Sequence, residues 1–241
     1  FDVYGWLATI TIKDPIFGDI KVGTNDNQTF FVSGSVDINL QVIDLSSGKD
    51  LTFNIDTYVN DVRYMLEQKL NQEGRLDIFT DIQFNGFTKG SHLIRTNAPK
   101  LKTSPNQTWI YNMKVNVYAK VAKKIDDIQP NHYVLALVDG YDREIAEDIE
   151  GHPWIDVGGK AHRVGQTRVA TTMMGQGISH ALHEILHTMG LHHPWSKKPG
   201  DGGEESISNI MEYGQFHGEN LTAKQVGRLW NEMGLSPHDL Y

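Results

Sequence analysis

The chain opens on short runs in which apolar and polar residues alternate, WLATITI, TFFVSGSVDINLQVI and LTFNI, broken by DP, FGD, TNDN and SSGKD. Alternation with a period of two between turn-forming clusters predicts strands, so residues 1–55 read as a β-rich N-terminal segment. From Asp56 the period changes. Val59, Val62, Leu66 and Leu70 recur at helix spacing, with Asp56 or Thr57 available to cap the start and Gly74 to end it. Strands are then predicted around Asp77–Phe84, Trp109–Ala119 and Tyr133–Val138, between loops rich in Asn, Gly, Pro and Lys. DVGGKAHRVGQ reads as a Gly-rich connector, Thr167–Met174 as another extended run, and the segment after it as a helix rich in histidine. Beyond Gly190 the pattern is irregular as far as Leu221. A last helix follows, with a capping box between Thr222 and Gln225 and a stop at Gly234. Strand runs and helix runs mixed in this way predict an α+β fold, with residues 56–241 as its main domain.

Composition narrows the picture without changing it. A chain of 241 residues that is 39% apolar can bury one sizeable core, and a net charge of −8 repels nucleic acid and anionic lipid over most of its surface. No apolar run approaches the roughly 18 residues that cross a bilayer. The start, FDVYGWLATI, has neither a basic n-region nor an apolar h-region, so the chain reads as a mature product or an excised domain. With no cysteine it can hold neither a disulfide framework nor a thiolate metal site.

The candidate chemistry lies in HEILHTMGLHH, His183 to His193. On a helix turning about 100° per residue, His183 and His187 lie about 40° apart and one turn from each other, so both rings can reach one ion. Leu182, Ile185, Leu186 and Met189 fall on the other arc and can face a core. Glu184, about 100° from His183, is placed beside the ion, where a general base acting on metal-bound water belongs. A residue free to take positive φ at Gly190 can end the helix and turn the chain back, which makes His193 the third ligand. Three neutral imidazoles and a water form the open tetrahedral arrangement of catalytic Zn2+, in which the water's pKa falls toward ~7 and Glu184 can take its proton and pass it to a leaving amine.

These residues fit HExxHxxGxxH at each fixed position, and in that the chain resembles the metzincin metallopeptidases. SNIMEY, downstream, resembles the Met-turn of that clan. The resemblance implies a metzincin-like zincin: a backing helix, a twisted mixed β-sheet, an active-site helix and an irregular C-terminal subdomain ending in a helix. It implies that Met211 forms an apolar floor under the ligands. Tyr213, two residues on as in the astacin and serralysin types, would ligate zinc at rest or hydrogen-bond the tetrahedral intermediate. The activity implied is a zinc-dependent endopeptidase acting on a protein or peptide substrate, secreted or delivered as an effector. A protein inhibitor or pro-segment would be its regulatory partner, and residues 1–55 would be a small domain or the remnant of a pro- or delivery segment. Thr167–Met174 would be the sheet edge on which an extended substrate pairs, or else an internal strand.

Other readings of the same residues stay open. The chain could be an effector or toxin protease with one narrow target, or a zinc-binding module without turnover, although a base at Glu184 has no use in a purely structural site. Glu204 or Glu205 could replace His193 as a carboxylate ligand. His180 reads as a neighbour of the ligands or an exposed residue, and His192 as a non-ligand. Asp139, Asp142 and Asp156 could offer oxygens to Ca2+, but they match no calcium-loop spacing and read as solvated loop acids.

Overall fold

The computed structural model describes residues 8–14, 17–47, 53–78, 106–130, 132–139, 159–164, 167–193, 208–212 and 218–235. The protein is mixed α+β, with one open sheet of eight strands that carries parallel and antiparallel pairs, and three α-helices among the described residues. The strands are β1 (Ala8–Asp14), β2 (Gly18–Thr24), β3 (Thr29–Asp44), β4 (Gly74–Asp77), β5 (Thr108–Ala122), β6 (Tyr133–Val138), β7 (Gly159–Val164) and β8 (Thr167–Met173). The helices are α1 (Ile55–Leu70), α2 (Ile178–Thr188) and α3 (Ala223–Glu232). No helix among the described residues is long and apolar enough to cross a membrane. The chain divides into two compact units, Phe1–Asp37 with Glu67–Asn116 and Met189–Tyr241, and Ile38–Leu66 with Val117–Thr188.

In the first unit, β1, within the alternating run WLATITI, pairs antiparallel with β2, a strand the runs did not single out, in register from Ala8 opposite Thr24 to Asp14 opposite Gly18. The Asp14 carboxylate closes the turn by accepting from the Phe17 amide at 2.9 Å, and Gly18 takes φ +65°. At the next turn Asn27 is left-handed, and Asp26 accepts from the amides of Thr29 and Gln28, which hold its carboxyl below the usual range. Phe30 of β3 stacks on Trp109 of β5, with ring centroids 4.6 Å apart. Trp109, Tyr111, Met113 and Val115 alternate into the core along β5. Burial pushes the Tyr111 phenol far above its ordinary pKa, so it stays a neutral donor, and it donates to the Leu235 carbonyl just past α3.

The two glycines Gly74 and Gly227 explain how α3 lies on β4. A Cβ on Gly74 would come within 2.8 Å of the Gly227 amide nitrogen, and a Cβ on Gly227 would run into the Arg75 backbone. The helix backbone thus rests directly on the strand backbone, an approach that any side chain would block. Gly74 is therefore a packing residue in β4 rather than the stop of α1. The helix ends at Leu70, and Asn71 fixes that end by exchanging hydrogen bonds with the Val115 backbone of β5, both at 2.9 Å. Its start also differs from expectation, since Asn54 accepts from the Thr57 amide and so caps it. LTFNI, expected as a strand, therefore supplies this cap at Asn54 and the first helical residue at Ile55.

In the second unit, Leu40–Asp44 of β3 pair in parallel with Tyr133–Leu137 of β6, and β6 pairs in parallel with β8. Ile43, Ala122, Val134 and Ala136 form a buried cluster, with Ile128 and Val169 packed against it. Parallel strands covered on their faces read as continuous apolar runs, which is how YVLALV of β6 reads. β7, Gly159–Val164, pairs antiparallel with β8 within the stretch expected to be a connector. This places β8 between β6 and β7, so Thr167–Met173 is an internal strand, and among the described residues β7 ends the strand order.

Candidate metal centre

The histidine helix is set up by the strand before it. β8 ends at Met173, the Met174 amide donates to the Val138 carbonyl, and Gly175 at φ +88° turns the chain into α2. α2 packs against β6, β7 and β8. Its apolar arc is as expected, with Leu182, Ile185, Leu186 and, just past the helix, Met189 all fully buried. At about 25 cal/mol per Å2 of apolar surface, burial of Leu182, Ile185 and Leu186 favours the packed helix.

His183 and His187, one turn apart, bring their Nε2 atoms to 3.0 Å with the two rings nearly perpendicular. The chain then leaves the helix at Gly190, which takes φ +108° as the spacing predicts. His193 completes a group in which one ring nitrogen from each of His183, His187 and His193 lies within 4.8 Å of the others. Nitrogens around a tetrahedral ion at 2.0–2.1 Å would stand about 3.3 Å apart, and the pair on α2, at 3.0 Å, stands close to that separation. The donor set fits as well. Three imidazoles with no thiolate suit zinc or another late first-row ion, and do not suit calcium or magnesium, which take oxygen.

The surroundings sort the neighbouring residues. His183 is 3% exposed and Glu184 5%, whereas His187 and His193 are half-buried. Glu184 follows His183 on α2 and is not one of the three grouped side chains. His180 has a partner on the sheet: its Nδ1 lies 3.0 Å from the Thr172 hydroxyl, and its ring is near-parallel to that of His183 at 6.3 Å. That makes His180 a neighbour of the ligands rather than a free surface residue. Nothing in the sequence marks Thr172, because its pairing follows from the strand and helix packing together. His192 is half-buried beside His193 and is not in the group.

Met211 is fully buried, and its amide donates to the Asn209 side chain at 2.9 Å. Asn209 and Gln225 exchange two side-chain hydrogen bonds, at 2.9 and 3.2 Å, and both are buried. Gln225 also accepts from the Thr222 amide while Thr222 accepts from the Gln225 amide, the capping box expected of α3. One glutamine therefore both closes the start of α3 and holds the turn that carries Met211. The double use is not legible in SNIMEY or in TAKQ alone. Tyr213, Glu204, Glu205, Asp142 and Asp156 lie outside the described residues. Asp139 accepts from the amide and hydroxyl of Ser47, at 2.7 and 2.6 Å, so this acid has a structural use at a loop.

Compared with known protein families and with curated proteins, the chain matches none.

Proposed function

We propose that the chain is a zinc-dependent endopeptidase of metzincin type, with His183, His187 and His193 as metal ligands and Glu184 as general base and acid. The observation that carries this reading is the convergence of the three imidazole nitrogens, with a buried carboxylate residue next to the first of them. Bound there, zinc would supply a Lewis acid that polarises a substrate carbonyl and makes water acidic enough to lose a proton near neutrality.

The chain's own residues then have separate tasks. His183 and His187 hold their side of the site rigidly, because α2 is anchored by its buried arc, and His193 closes it from the turn after Gly190. Glu184 accepts the proton of the attacking water as oxygen bonds to the carbonyl carbon, and gives that proton to the amide nitrogen as the C–N bond breaks. An extended peptide would pair along β7, which among the described residues ends the strand order. By the resemblance to metzincins Met211 would floor the site, and Tyr213 would ligate zinc at rest or hydrogen-bond the tetrahedral intermediate.

The test is cleavage of a mixed peptide library by the purified chain, with and without a chelator, beside the variants Glu184→Ala and His187→Ala. Chelator-sensitive cuts at internal peptide bonds are expected. Glu184→Ala should keep the metal and lose turnover by about 100-fold or more, and His187→Ala should lose both. Cleavage that persists in Glu184→Ala would overturn the assignment.

A further inference from the structure

The turn at Gly190 is built against a particular side chain. A Cβ on Gly190 would come within 2.7 Å of the Glu232 Cβ and 3.1 Å of its Cγ, so the Glu232 methylenes lie flush against the glycine. The Glu232 carboxylate is held by Arg228, one turn earlier on α3, at 2.9 Å, with the two side chains only 16% and 8% exposed. A pair so buried gains little stability over apolar residues of the same size, but it fixes where both side chains lie.

The helix that carries the pair has little freedom. Its start is closed by the Thr222 and Gln225 capping box, its middle rests on β4 through Gly227, and its far end is tied by the Tyr111 hydroxyl at Leu235. On either side of Gly190, Met189 and Leu191 are buried, so the turn is clamped along its length. Glu232 therefore presents a fixed wall to the residue from which the chain departs toward His193.

We propose that Glu232, held by Arg228, is a positioning residue for His193: the buried pair sets the course of the Gly190 turn and through it the place of the third imidazole. The inference rests on the reading that His193 is a metal ligand. Sequence alone assigns Gly190 its backbone freedom and leaves Arg228 and Glu232 as ordinary charges on an amphipathic helix. What singles them out is that the glycine and the glutamate share one space. The missing Cβ at position 190 thus serves two ends, a positive φ and room for Glu232.

The test is a double-variant cycle read by Zn2+ affinity, measured by competition with a chromogenic chelator at a temperature where each metal-free variant is folded. His193→Ala is expected to weaken binding strongly. Glu232→Ala should weaken it about tenfold in the parent chain, the range seen when an outer partner of a ligand is removed, and should change it little in the His193→Ala background. Glu232→Gln, which keeps the methylenes and can still accept from Arg228, should recover most of the loss. Arg228→Gln, which releases Glu232 without shortening it, is the second variant and should weaken binding by a smaller factor. Cobalt spectra give an independent readout, because an altered third ligand shifts and weakens the visible bands of a four-coordinate site, which a merely less stable protein would not do. Equal losses in both backgrounds, or parental affinity in Glu232→Ala, would overturn the inference while leaving the ligand set standing. If His193→Ala bound zinc as tightly as the parent chain, the ligand assignment itself would fail, and this proposal with it.

Discussion

Gly190 is where backbone geometry and chemistry meet most closely. Its φ of +108° is one that L side chains rarely adopt, and its Cβ position is taken by Glu232. Strained backbone of this kind and overpacking each cost of order 1–3 kcal/mol, so Gly190→Ala is expected to destabilise the metal-free protein by about 3 kcal/mol, measured by urea unfolding. A loss under 1 kcal/mol would mean that the turn has another conformation open to it. The neighbouring histidines divide by the same kind of evidence. His183 and His187 were legible as a pair because helix geometry forces residues four apart onto one face, and His193 because a glycine precedes it at the distance a turn needs. His180 was less legible, since its partner Thr172 lies on another element and only packing brings the two together.

Among the elements, what is local to one helix or strand is legible in the sequence, and what depends on pairing or packing between elements is not. The buried arcs of α1 and α2 and the capping box of α3 follow from patterns local to each helix, and these the sequence carries openly. Both ends of α1 depart from expectation because Asn54 and Asn71 supply the hydrogen bonds, one to the first turn and one to β5. DVGGKAHRVGQ reads as a connector because it is rich in glycine; its GKAHRV part becomes β7 by pairing with β8, a contact that no periodicity announces. Gln225 is the element-scale residue with the most to lose. Gln225→Leu keeps the volume, removes both side-chain bonds to Asn209, and opens the capping box. Leaving such buried groups without partners costs about 1–3 kcal/mol each, so a loss of about 3 kcal/mol in thermal or urea unfolding is expected. Gln225→Glu, which can still accept from the Thr222 amide but not donate to Asn209, should lose less. A neutral Gln225→Leu would show that the turn carrying Met211 is held by other contacts.

At the scale of the whole molecule, the two compact units are each assembled from separate stretches of chain, and β3 and β5 contribute residues to both. An interleaved layout leaves no mark in local composition, because it arises from pairing between distant segments. The metal offers a handle on the folded state as a whole. An ion that binds only the native protein stabilises it by about 2.7 kcal/mol at a free concentration one hundred times its Kd. Zinc should therefore raise the melting temperature of the metal-free chain, a chelator should reverse the rise, and His187→Ala should abolish it. The most direct measurement is X-ray absorption at the zinc edge on the protein loaded with one equivalent of metal. The proposed ligand set predicts three imidazole nitrogens at about 2.0 Å with a single light ligand completing the shell. A shell with fewer than three imidazoles, or one unchanged in His193→Ala, would contradict it.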